Sequence, residues 1–175
     1  MSNLEQILIA NFGSYKDFPK PGIVFCDILP VLRKPEIFNE LIKVMSDSDS
    51  IQNSDALIAI DARGFIFGTA IAQNTNKPLV LARKPGKLPG ETIEESYALE
   101  YGTNTLCIQK SSIEPYSSFS IIDDLLATGG TAACIEKMLL TNNKKVNNLS
   151  VVVELPFLNG RKNLKCEVAS VVKLD

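Results

Sequence analysis

The run from Ile121 to Thr131 constrains the fold more than any other stretch of the chain. It reads Ile-Ile-Asp-Asp-Leu-Leu-Ala-Thr-Gly-Gly-Thr. An apolar strand leads into two carboxylates, then into a small-residue loop, then into a helix predicted over about Thr131 to Leu140. A strand followed by a helix is one step of the strand–helix alternation that argues for a mostly parallel α/β sheet. The loop also has chemistry of its own. Gly129 and Gly130 permit backbone angles and close approaches that a Cβ blocks. Residues Ala127, Thr128, Gly129, Gly130 and Thr131 can expose successive N–H groups beside the positive end of the helix. Asp123 and Asp124, expected where the strand ends, can accept hydrogen bonds from a vicinal diol. A ligand with a phosphate and a ribose satisfies both halves. The same pattern also describes an ordinary βα turn in which an Asp caps the helix. It is not a P-loop or a dinucleotide fingerprint, because the glycine spacings of both are missing.

The remaining pattern agrees with an α/β fold. Pro35 to Met45 reads as an amphipathic helix with Ile37, Phe38, Leu41, Ile42 and Met45 on one face. Ser46 to Ser54 is polar and reads as a loop. Ala56–Ile60 is a continuous apolar run, as a buried parallel strand requires. Arg63 to about Asn74 reads as a helix, and Pro78–Ala82 as a strand. Ser120–Ile122, Val151–Val153 and Val168–Leu174 read as further strands. Thr92 to Gln109 changes character. There Ile93, Tyr97, Leu99 and Tyr101 alternate with Glu94, Ser96, Ala98 and Glu100, which predicts an antiparallel ribbon with its turn from Gly102 through Thr105. One domain over residues 1–175 is expected, with residues 1–34 as a small N-terminal hood.

Outside the glycine loop, four segments carry candidate chemistry. Arg63 and Gly64 follow the Ala56–Ile60 strand. They suit either pyrophosphate oxygens or a turn in which Arg63 pairs Asp61. Arg83, Lys84 and Lys87 lie in a turn with Gly86 and Gly90 as hinges. That turn is either a solvated connection or a polyphosphate-binding lid. Val24 and Phe25, next to Cys26, either pack into a core or leave the Phe25 ring as a π-face on which a purine can stack. Glu100 and Tyr101 read from the pattern as a surface acid and a half-buried aromatic of the ribbon.

These segments resemble the type I phosphoribosyltransferases, and adenine phosphoribosyltransferases in particular. The resemblance rests on the Ile121–Thr131 run together with Asp17-Phe18-Pro19-Lys20-Pro21-Gly22-Ile23-Val24-Phe25-Cys26-Asp27, Ala62-Arg63-Gly64-Phe65-Ile66-Phe67-Gly68, Arg83-Lys84-Pro85-Gly86-Lys87-Leu88-Pro89-Gly90 and Tyr97-Ala98-Leu99-Glu100-Tyr101-Gly102. It spans about residue 15 to the C-terminus. It implies a mostly parallel central sheet with flanking helices, an antiparallel ribbon with a flexible loop, and the N-terminal hood. It implies transfer of phosphoribose from phosphoribosyl pyrophosphate (PRPP) to adenine, giving AMP and pyrophosphate, with Mg²⁺ carried by PRPP and not by a protein cage. Transfer to another purine such as xanthine, and non-catalytic sensing of PRPP, are the alternatives.

The resemblance further implies a role for each segment. Ala127 to Thr131 hold the 5′-phosphate, and Asp123 and Asp124 the ribose. Arg63, Gly64, Arg83, Lys84 and Lys87 meet the pyrophosphate. Val24, Phe25 and Cys26 read adenine. Glu100, Tyr101 and Arg63 serve catalysis, with Glu100 toward N7 of the base. A non-proline cis peptide near Asp61–Ala62 and a homodimer are also implied. Cys26 departs from the pattern, since the family usually has arginine there. Backbone recognition survives that change, whereas contacts of the arginine side chain do not.

Composition excludes other classes. The chain has 175 residues, no histidine and a net charge of −2. Serine–histidine and cysteine–histidine hydrolysis are therefore ruled out, and no global pull toward nucleic acid is expected. Cys26, Cys107, Cys134 and Cys166 form no Cys-x-x-Cys pair and are expected as free buried thiols in a reducing cytosol. No signal peptide and no membrane span are expected.

Overall fold

The structure is a computed structural model and describes residues 2–18, 20–22, 24–99 and 102–174, with only the backbone at 98, 99 and 102. Contacts divide the chain into two compact units, Met1–Val44 and Met45–Asp175.

The first unit begins with helix α1 (Asn3–Asn11). Ser2 caps it in a reciprocal box: Glu5 N donates to Ser2 Oγ at 3.2 Å and Ser2 N donates to Glu5 Oε2 at 3.3 Å. Strands β1 (Gly13–Lys16) and β2 (Val24–Asp27) form an antiparallel hairpin in which Tyr15 faces Phe25. A 3-10 turn over Leu29–Arg33 leads into α2 (Pro35–Ser46), where proline suits the first helical turn.

The second unit contains the main sheet. Its strands β3 (Ala56–Ile60), β4 (Leu79–Ala82), β7 (Ser118–Leu126), β8 (Lys145–Glu154) and β9 (Glu167–Lys173) lie in the order β4-β3-β7-β8-β9, all parallel. Every residue of β3 is buried, as its unbroken apolar run predicts. Helix α4 (Gly64–Thr75) links β3 to β4, and α6 (Gly130–Thr141) links β7 to β8. Gly68 lets α4 settle on β3, since a Cβ there would stand 2.5 Å from that of Ala59. Ile58, Ile121 and Val151 of neighbouring strands pack with Ile135 and Met138 of α6 in one apolar core.

Strands β5 (Thr92–Leu99) and β6 (Gly102–Gln109) form the expected antiparallel ribbon. Backbone bonds in both directions between Arg83 and Cys107, at 2.9 and 2.7 Å, fasten it beside the end of β4.

Three expectations change, and one short helix appears where the sequence suggested no element. The Ser46–Ser54 segment contains a short helix, α3 (Asp49–Gln52). A second short helix, α5 (Lys110–Ile113), follows β6. Gly102–Thr105 do not form a turn: Leu99 pairs with Gly102, and Thr103–Thr105 belong to β6. Most consequential, β7 does not stop at the carboxylates. Asp123 faces Val151 and Leu126 faces Glu154, so both acids ride on a paired strand.

Candidate active site at the β3–β7 crevice

From β3 the chain departs toward β4, and from β7 it departs the other way, toward β8. The carboxyl ends of β3 and β7 therefore flank a topological switch point, where open α/β sheets leave a ligand crevice. A cleft of about 340 Å³ opens there, lined by residues that include Asp61, Arg63, Lys84, Tyr97, Asp123, Asp124 and Thr131. Two turns far apart in sequence thus meet because their strands are neighbours.

The β3 side supplies Asp61, Arg63 and the start of α4. The Asp61–Ala62 peptide is cis, at the bond that the sequence resemblance implied. Arg63 pairs across the cleft with Asp124. Its Nε lies 2.8 Å from Oδ2 of Asp124, so it bridges the two sides. Asp61 is taken by Arg83, whose Nε donates to Oδ2 at 3.1 Å and whose guanidinium lies 5.8 Å from the Phe65 ring centre. Gly64 is tightly confined: a Cβ would come within 2.8 Å of Ile122 O and 3.0 Å of Asp123 Oδ1. Glycine is needed there for α4 to start against β7.

The β7 side supplies the acids. Asp124 is buried, whereas Asp123 keeps an exposed part and accepts a hydrogen bond from Asp124 N at 2.9 Å. Burial, and then the charge of Asp124, hold the Asp123 carboxyl well above the usual carboxylate range, with Arg63 opposing them.

Beyond the strand, Gly129 adopts the left-handed conformation at φ 82° and caps α6. A left-handed residue followed by a helical one turns successive N–H groups toward a common point, the geometry of an anion nest. The loop encloses a smaller hollow of about 80 Å³ lined by residues that include Ala127, Thr128, Gly129 and Thr131.

The basic turn divides. Lys84 lines the cleft, while Arg83 is directed to Asp61 and to the Lys87 carbonyl at 3.4 Å. Lys87 is exposed, and Gly86 and Gly90 take φ of 75° and 79°.

Val24, Phe25 and Cys26 form β2 of the first unit. Val24 is 64% exposed, so the core-packing alternative does not hold for it. Phe18 meets Phe25 edge-on at 5.1 Å between ring centres. Glu100 and Tyr101 lie outside the described residues. All four cysteines are free, but only Cys107 and Cys134 are buried. Among the described residues no cluster of three or more His, Cys, Asp or Glu is placed to hold a metal ion. No described helix is long and apolar enough to cross a membrane.

The site also contains residues that sequence reasoning overlooked. Tyr97 extends from β5 over Gly130, and Thr131 Oγ1 donates to its hydroxyl at 3.0 Å. Asn104 and Thr105, expected in a turn, line the cleft from β6. The alternation of the ribbon places Tyr97 on its apolar face, and a hydroxyl at the tip of such a face was the available signal.

No family model matches the chain. It is 57% identical to the adenine phosphoribosyltransferase of Prochlorococcus marinus (strain MIT 9215) over 161 residues, covering 92% of this chain and 94% of that one. With that of Mycoplasma mobile it shares 46% over 158 residues, covering 90% and 91%. Among solved structures it resembles the adenine phosphoribosyltransferase of Thermoanaerobacter pseudethanolicus, with a TM-score of 0.91, 39% identity and coverage of 98% and 100%. The Saccharomyces cerevisiae enzyme, complexed with an imino-altritol bisphosphate and adenine, gives a TM-score of 0.88, 33% identity and coverage of 98% and 99%. A parallel sheet whose switch point holds an acidic pair, a glycine nest and a basic turn defines a phosphoribosyltransferase of the type I fold. At these identities, over nearly the whole length, the narrower assignment follows. The chain belongs to the adenine phosphoribosyltransferase family.

Proposed function

We propose that the chain transfers the 5-phosphoribosyl group of PRPP to adenine, yielding AMP and pyrophosphate for purine salvage, within one phosphoribosyltransferase domain over residues 1–175. The observation that carries this reading is the switch-point cleft, in which one space is lined at once by the acidic pair, Arg63, Lys84 and Thr131. The 5′-phosphate is held by Ala127 to Thr131 and the ribose hydroxyls by Asp123 and Asp124. Pyrophosphate is met by Arg63, the backbone at Gly64, Arg83 and Lys84, with Lys87 in a lid that closes over it. Adenine is read by Val24, Phe25 and Cys26.

Loss of pyrophosphate leaves positive charge at C1 of the ribose, while negative charge grows on the departing oxygens. Cations fixed beforehand around those oxygens stabilise that separation. Glu100 accepts or orients the proton that the purine sheds as N9 attacks, with Tyr101 beside it. A closed basic turn keeps out water, the competing nucleophile.

Asp61 and Asp123 bring carboxylate oxygens to the cleft. Such hard donors suit Mg²⁺ that is held mainly by substrate phosphates and water. When bound, the ion supplies charge that neutralises pyrophosphate. A homodimer in the cytoplasm, with no nucleic-acid or membrane partner, completes the reading.

The test is AMP-type product formation from PRPP and Mg²⁺ with adenine, hypoxanthine, guanine and xanthine. The amine of adenine is a donor where the oxopurines present an acceptor, and the inversion leaves a buried group unpaired. Adenine should win in kcat/KM by about 10²–10⁴. Comparable turnover of hypoxanthine would overturn the assignment.

A further inference from the structure

The segment after β8, residues 155–163, belongs to no element of the cleft, yet it is built against the phosphate loop. Leu155 N donates to Leu126 O at 2.9 Å. The chain then runs through two short 3-10 turns, Pro156–Leu158 and Gly160–Asn163. Gly160 lies so close to the loop that a Cβ on it would collide with Ala127 O, and a Cβ on Gly129 would collide with Gly160 O. Asn163 Nδ2 donates to Thr128 O at 2.8 Å. The turn is itself clamped. Arg161 makes a two-pronged pair with Glu154, Nε to Oε1 at 2.5 Å and Nη2 to Oε2 at 2.7 Å. Ser170 Oγ also donates to Glu154 Oε2 at 2.7 Å, and Arg161 Nη1 donates to Val168 O at 2.9 Å. The pair holds the Glu154 carboxyl below its ordinary range.

A planar trans peptide points its C=O and its N–H in opposite directions. The only cis bond among the described residues is Asp61–Ala62, so the Thr128–Gly129 peptide is trans. With the Thr128 carbonyl fixed on Asn163, the Gly129 N–H must leave the far side of the loop, away from the 160–163 turn. We propose that Asn163 is a positioning residue for the 5′-phosphate: by holding Thr128 O it fixes the Gly129 N–H as a phosphate donor before substrate arrives. The role rests on the reading of Ala127–Thr131 as the phosphate loop. Asn163 is exposed and more than thirty positions from the residue it orients. An exposed hydrogen bond adds little to stability, so its loss should appear in binding and not in folding.

The experiment uses the full chain with ribose 5-phosphate and, separately, pyrophosphate as calorimetric probes. Asn163→Leu keeps the size and loses the donor, and Asn163→Ala is the second variant if leucine disturbs the fold by circular dichroism. Ribose 5-phosphate should bind about 10-fold more weakly, the low end for losing a hydrogen bond to a charged group. Pyrophosphate affinity should not change. In turnover, the KM for PRPP should rise by a similar factor with kcat within about twofold, the pattern of lost ground-state binding. Thr131→Val, which removes a hydroxyl of the loop itself, separates the two layers of the argument. If Thr131→Val weakens ribose 5-phosphate and the Asn163 variants do not, the positioning role is wrong and the phosphate loop stands. If none of them weakens it, the loop is not the phosphate site and the positioning role falls with it. Equal loss of both probes in the Asn163 variants would mark a general structural defect and would also overturn the proposal.

Discussion

At the scale of single residues, Asp123 is a carboxyl whose surroundings disfavour its charged form. Its carboxyl titrates well above the usual range because it is buried beside Asp124. In the unfolded chain the same group ionises near 3.9. Between those two points the folded chain holds a proton that the unfolded chain has lost. Stability from this residue is therefore full below the ordinary value and declines as pH rises through the raised one. Asp123→Asn should melt higher than the parent above that window, with the gap closing toward pH 3, while PRPP affinity falls because an amide is a poorer acceptor for a sugar hydroxyl. Thermal melts across pH check the first part, and a gap that does not vary with pH would contradict it. The identity of this residue was legible in the sequence, but its setting was not. Two adjacent acids read as the end of a strand, and only the pairing of Asp123 with Val151 shows that the strand continues. Asn163 was not legible at all, since nothing near it in sequence shares its partner. The Arg63–Asp124 bridge was hidden for the same reason.

At the scale of elements, the buried strands and their helices were readable because apolar runs and helical periodicity are local signals. Helix α4 was placed within a residue or two, and β3 to the residue. What periodicity could not find was short or polar: α3 has four residues, and β1 is Gly-Ser-Tyr-Lys with no alternation to betray it. Packing distance is likewise silent in sequence. Gly68 lies mid-helix, where alanine is ordinarily favoured by about 1 kcal/mol. Here a Cβ would meet Ala59 at 2.5 Å, between two elements that cannot both yield. Gly68→Ala should therefore cost about 1–3 kcal/mol, the usual range for overpacking, and outweigh the propensity gain. Urea denaturation would show it as a lower midpoint at unchanged slope. A more stable variant would mean that α4 can shift away from β3.

At the scale of the whole molecule, the proposal that Mg²⁺ arrives with PRPP predicts a metal requirement for turnover and none for folding. EDTA should abolish AMP formation, and Mg²⁺ should restore it. The melting temperature without PRPP should be the same with and without chelator, and a fall on chelation would reveal a metal held by the protein itself. The carboxylates proposed to meet the sugar ride on β7, which is bonded to β8 as far as Leu126 and runs through the apolar core. Amide hydrogens along residues 119–126 should thus be among the last to exchange with deuterium, with or without ligand. Capture of the sugar then freezes little backbone that was not frozen already, and calorimetry on ribose 5-phosphate should find only a small conformational-entropy penalty. Any large penalty on binding complete PRPP must come from elsewhere, and the exposed glycine-hinged turn over residues 84–90 is where calorimetry and exchange together should find it.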